Sequence, residues 1–246
     1  MEYFFTPLSE LPSGVGFELF GLKHGCWLII SGCITLLLCL FCRRADKPGR
    51  RRIRRGTGCA VLAFELIKNI NLIATGQFSV YFLPLHLCSL AVFFTFFNCL
   101  RPGETIDNFL YSTCMPGALS ALLFPDWTAY PAFCLHSCVA FFAHTLLFAY
   151  PLMLTAAGEI APRVRLLPRC LLILLCLAAV IYPIDRALGA NYMFLLSPAA
   201  GSPLEWFASV LGVPGYLLGF FPLIAVIWSI EYLPFRKKHR APMGAE

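Results

Sequence analysis

Charge is what this 246-residue chain has least of. Asp, Glu, Lys and Arg together make up 13% of it, about half the share of an ordinary globular domain. The deficit runs along most of the sequence, while hydrophobic residues reach 59% and aromatic residues 15%, with a mean hydropathy of +0.75. A soluble enzyme, a nucleic-acid binder and a secreted disulfide scaffold are excluded by that composition. No internal repeat, Gly/Ser linker or low-complexity tract divides the chain, and its loops are too short for an appended soluble domain, so one helical bundle is expected. Acidic residues are outnumbered, 13 against 19 basic, for a net charge of +6. The basic residues gather in short segments between apolar runs, as in the cytoplasmic loops of membrane proteins, so no nucleic-acid partner is expected.

What is there is a succession of apolar runs. A bilayer core about 30 Å thick needs roughly 20 apolar residues per helix, and seven runs qualify: 22–42, 56–76, 78–100, 108–124, 131–154, 168–188 and 206–233. The expected fold is an all-α, polytopic, seven-transmembrane-helix bundle forming a single membrane domain over residues 1–246. With the N-terminus outside, sixteen of the nineteen Lys and Arg residues fall on inner segments. Eight of them lie in a basic loop at 43–55 and four in a basic tail at 234–246, so the positive-inside rule selects an outer N-terminus and a cytoplasmic C-terminus. The acidic start, Met1 to Glu10, precedes a full-length span and predicts an uncleaved multi-pass protein of the cell membrane.

Twelve cysteines all fall within or beside apolar runs, where Cys serves as a small hydrophobe. Cys39 and Cys42 form a C-x-x-C with no second ligand pair nearby in sequence, so packing is the expected role and no metal or other cofactor is implied. Ionisable groups inside spans are costly and become candidates for function. In the second run Glu65, Lys68 and Asn69 share one helix face, where the charges can pair, either to pin helix packing or to line a polar cavity. In the third, Pro84 bends or opens the helix beside His86, Cys88 and Ser89. In the fifth, His136 and His144 lie eight residues apart on one side of the helix. At 1.5 Å per residue Cys88 falls ~15 Å and His144 ~20 Å from the outer end of their runs, with His86 and His136 at roughly 12 and 8 Å. A thiol beside an imidazole is a recurrent arrangement for acyl transfer. The last run carries no lysine for a Schiff base, which removes a rhodopsin-like reading.

Several segments together resemble a known family. Leu83-Pro84-Leu85-His86-Leu87-Cys88-Ser89-Leu90, Gly117-Ala118-Leu119 running to Phe124-Pro125-Asp126, His144, Gly189-Ala190-Asn191-Tyr192-Met193-Phe194-Leu195 with Pro198, and Val213-Pro214-Gly215-Tyr216 look like the YwaF-type integral-membrane proteins, a family similar to animal transmembrane protein 164. The resemblance covers roughly residues 65–235. It implies a lipid-active enzyme, because the animal branch is described as an acyltransferase remodelling ether phospholipids with a membrane-embedded cysteine and a histidine. Cys88 occupies the position of that cysteine, and His144 sits on the span where the histidine would fall. The chain departs from the animal pattern at Ser89, where those proteins have histidine.

The leading expectation is a cysteine-dependent acyltransferase or acyl hydrolase acting on membrane lipid. Cys88 is the expected nucleophile and His144 the general base and then acid, with His86, His136, Asn191 and Tyr192 supporting. Two rivals stand beside it. One is a transporter or channel for a small polar solute through Glu65, Lys68 and the histidines. The other is a receptor or assembly factor in which the polar residues only hold the bundle.

Overall fold

A computed structural model describes residues 3–199 and 202–236. All regular structure among the described residues is helical. Five segments have the length and hydropathy to cross a bilayer: Leu22–Arg44, Lys47–Ala74, Val80–Leu100, Leu135–Ala156 and Val164–Leu188. The protein is therefore a helical, multi-pass membrane protein, with five candidate spans where the hydropathy pattern counts seven. Contacts divide the chain into two compact units, Met1–Ala161 and Pro162–Glu246. Lys237, Lys238 and Arg240 of the basic tail lie outside the described residues.

The first unit holds α1 (Leu22–Arg44), α2 (Lys47–Ala74), α3 (Leu87–Leu100), α4 (104–123) and α5 (Leu135–Ala156). Its basic segment 43–55 is a correction to the sequence reading, because it is helix rather than loop. Only Ala45 and Asp46 separate α1 from α2. The Asp46 carboxylate accepts from the Gly49 amide at 2.9 Å and Pro48 stands in the first turn, two features that start a helix. The third run is also corrected. Pro84 does not bend a continuous helix; it ends one short 3₁₀ turn, Val80–Phe82, and delays α3 until Leu87. Proline has no N–H to donate and biases the residue before it away from helical geometry, and Leu83 is accordingly extended, with φ −58° and ψ 143°. In α4 a π-helical segment, Leu110–Cys114, joins Glu104–Phe109 to Met115–Leu123.

Helix α5 is the centre of this unit, with residues on every side of it buried. Trp27 of α1 stacks on Phe141 at 4.7 Å and donates its indole N–H to the Ala132 carbonyl at 2.7 Å. The hydroxyls of Ser31 and Thr145 are hydrogen-bonded at 2.7 Å, and Phe64 of α2 stacks on Phe142 at 5.8 Å. The N-terminal segment is ordered against the ends of this bundle: Phe17 is buried in the core, its amide donates to Thr128 O at 3.0 Å, and the Leu135 amide donates to Phe4 O at 2.9 Å.

The second unit holds α6 (Leu167–Leu188), α7 (Pro203–Leu211) and α8 (Phe220–Glu231). The run 206–233 is thus two helices rather than one. Gly212, at φ +69°, takes a backbone conformation closed to most L-residues, and Pro214 follows it, so the chain turns through Gly215–Gly219 before resuming. Leu172, Leu175 and Val180 of α6 and Val226, Ile227 and Ile230 of α8 are exposed apolar side chains, the composition expected of faces turned to lipid.

Candidate functional site

The break at Pro84 puts Cys88 at the second residue of α3, with His86 as the residue that caps it. Amides of the first helical turn have no intrahelical acceptor, and no side chain caps them here. The Cys88 thiol, which is half-buried, therefore stands at the positive end of a helix, beside backbone donors of its own turn. Sequence spacing places this residue deep within a run; the structure makes it the start of a helix.

His144 lies in the third turn of α5, half-buried. Its Nδ1 is 2.8 Å from the Ala140 carbonyl. A carbonyl only accepts, so in the neutral ring Nδ1 carries the proton and Nε2 keeps the lone pair. The imidazole is held from the side by Trp127, which stacks on it at 5.2 Å with 23° between planes. His24 shows the contrast: fully buried, it accepts from the Phe20 amide at Nδ1 and donates from Nε2 to Leu122 O, both at 2.9 Å, so neither nitrogen is left for chemistry. No hydrogen bond joins Cys88 to His144; both lie within electrostatic reach of the same three charges, Asp126, Lys68 and Glu65.

The α2 face expected from spacing is assembled as a closed cluster. Lys68 Nζ donates to both Glu65 carboxylate oxygens at 2.8 Å, and Asn69 Nδ2 donates to Oε1 at 3.2 Å. Two buried polar atoms around the site have no hydrogen-bond partner among the described residues: Asn69 Oδ1, an acceptor, and Trp127 Nε1, a donor. His136, two turns before His144, stacks on Tyr130 at 4.1 Å and meets the edge of Phe82. Burial pushes the Tyr130 phenol above its ordinary value, with Cys134 adding to it, so that ring remains neutral. Asn191 and Tyr192 belong to the second unit, where both are engaged locally. The Asn191 carboxamide accepts from the Leu196 and Ser197 amides and donates to Ser197, closing its own loop. Tyr192 is buried and its amide donates to Asp185 at 2.7 Å.

Two features escape a reading by spacing. Asp126 and Trp127 sit in the turn after α4, where nothing in the periodicity marks them, although Asp126 closes one of the motif segments. The other feature is a buried network at the opposite end of α2. Arg54 donates to Asp107 at 3.1 Å, to Tyr150 at 3.2 Å and to Asn98; Tyr150 donates to Asn98 and Asn98 to Asp107, both at 2.8 Å. The available signal was a polar residue, Asn98, in an apolar run opposite an arginine counted as a loop charge.

A model of the TMEM164 family matches residues 19–232. No curated protein and no solved structure matches the chain.

Proposed function

The chain belongs to the TMEM164 family, and from that premise we propose that it is a cysteine-dependent acyltransferase or acyl hydrolase of the cell membrane, acting on phospholipid or related lipid esters. The observation that carries this reading is the fixed tautomer of His144, whose Nδ1–H is held by Ala140 O so that Nε2 is the basic nitrogen. His144 Nε2 takes the Cys88 proton, and the sulfur attacks the ester carbonyl carbon to form a C–S bond. The resulting oxyanion is met by first-turn amides of α3 and by the unpartnered Trp127 Nε1–H. Collapse breaks the C–O bond, and the departing lyso-lipid oxygen takes its proton from His144. A lipid hydroxyl, or water, then gives its proton to His144 and attacks the thioester, and Cys88 leaves as the thiol. Asn69 Oδ1, an acceptor without a partner, suits the incoming hydroxyl, and His86 and His136 border the same end of the bundle.

The Glu65–Lys68 pair supports a fixed role better than a solute pathway, because each charge is already neutralised by the other at 2.8 Å. The test is mass spectrometry of the purified full chain after incubation with mixed phospholipids, alongside Cys88→Ala and His144→Ala. The expected result is a hydroxylamine-labile fatty acyl mass on the Cys88 peptide that disappears in both variants. An unmodified Cys88 peptide together with unchanged lipid composition overturns the reading.

A further inference from the structure

Nine residues at the start of α2, Lys47 to Arg55, hold six cations, and the fold sorts them into two sets. Arg50 and Arg54 turn inward. Arg50 donates to Ala45 O at 3.0 Å, Ala157 O at 2.8 Å and Arg43 O at 3.3 Å and pairs with Glu159, while Arg54 is buried in the Asn98–Asp107–Tyr150 network. Lys47, Arg51, Arg52 and Arg55 are exposed, and none makes a hydrogen bond or ion pair among the described residues. These four, with Pro48, line a single groove of about 460 Å³. Lys47, Arg51 and Arg55 recur every four residues, so they form one row along the helix.

Position decides what such a groove meets. The apolar part of α2 begins at Gly56 and the helix is continuous from Lys47, so the basic turns extend the helix by roughly 13 Å beyond its apolar part. Headgroups occupy about 5–8 Å on each side of the hydrocarbon core, so Arg55, Arg52 and Arg51, within about 8 Å of Gly56 along the helix, lie among them, and Lys47 stands just beyond. We propose that this groove is a binding site for the phosphate headgroup of an anionic phospholipid in the leaflet that α2 enters. Four unpaired cations along one open groove match a phosphodiester that carries a net negative charge, and a zwitterionic headgroup brings its own ammonium to compete. The site is separate from the one at Cys88. Arg55 and Lys68 are thirteen residues apart on one helix, roughly 20 Å, farther than the few bonds that join a headgroup phosphate to its ester carbonyls. The groove therefore holds an anchoring lipid, not the lipid whose ester is cleaved.

The experiment uses the full chain in detergent micelles with equal amounts of phosphatidylglycerol and phosphatidylcholine, and native mass spectrometry to count retained lipids. The expected result is preferential retention of phosphatidylglycerol that weakens as salt rises. Replacing Lys47, Arg51, Arg52 and Arg55 together by Gln removes the preference, and each single replacement lowers it by roughly fivefold. A charge-conserving variant, Arg51→Lys with Arg55→Lys, keeps it, and a circular-dichroism melt of each variant verifies folding. Equal retention of the two lipids by the wild type overturns the proposal. So does undiminished preference in a folded quadruple variant, or displacement of the bound lipid by inorganic phosphate at the lipid's own concentration. Acylation at Cys88 is read separately on the same variants and is expected to persist, so failure of the anchoring site and failure of the catalytic reading are distinguishable.

Discussion

In the proposed reaction the side chains around His144 have separate parts, and single substitutions distinguish them. Trp127 both stacks on the imidazole and presents an unpartnered indole N–H. Trp127→Phe keeps the stack and deletes the donor, with an expected loss of about tenfold in the single-turnover rate of Cys88 acylation. Trp127→Leu deletes both, with an expected loss of about a hundredfold. Equal losses in the two variants would assign the whole effect to the donor. Glu65 and Lys68, paired at 2.8 Å, are expected to behave differently, as a structural ion pair. Removing one partner strands a charge, so Glu65→Gln is expected to destabilise the protein by about 3 kcal/mol. Glu65→Gln combined with Lys68→Met costs less than either single change if the pair only pins α2, as a thermal melt of each variant will show.

Between elements, contact is set by small residues and by the polar network at one end of the bundle. Gly58 of α2 faces Cys99 of α3 so closely that a Cβ there would sit 2.5 Å from the Cys99 sulfur and 2.6 Å from its Cβ. Gly58→Ala must push α3 away and is expected to cost about 1–3 kcal/mol, with Cys99→Gly in the same chain relieving the clash and Cys99→Ala relieving only the sulfur's share, because its Cβ stays 2.6 Å away. The network of Arg54, Asn98, Asp107 and Tyr150 ties α2, α3, α4 and α5 together near that contact. Arg54→Met leaves the half-buried Asp107 without its cation and is expected to lower stability by about 3 kcal/mol, more than Arg51→Met, whose side chain is exposed in the basic groove. Melting temperatures of the two variants, compared in one detergent, check the ordering. Neither relation is visible along the chain, since hydropathy registers Arg54 and Arg51 as the same basic loop.

For the whole molecule, the distribution of basic residues sets the expected orientation, with the N-terminus outside and the C-terminus cytoplasmic. A fluorescent protein fused after Glu246 should fluoresce and an alkaline phosphatase fused there should stay inactive; the reverse pattern sinks that orientation. Membrane insertion, the helical class and the positions of most helices follow from the sequence alone, because bilayer thickness and unsatisfied backbone groups leave an apolar chain few alternatives. The pairing of Glu65 with Lys68 was legible too, since three residues of helix place two side chains on one face. Tertiary structure alone decided where helices break and what surrounds the thiol. Pro84 and Gly212 mark breaks that hydropathy averages over, and so Cys88 emerges at the start of α3 instead of inside a continuous helix. The turn that brings Trp127 against His144, and the folding of Arg54 inward while Arg55 stays exposed, rest on contacts between residues far apart in the chain. One-dimensional spacing carries no information about such contacts, because it records which side chains share a helix face and not which helix that face meets.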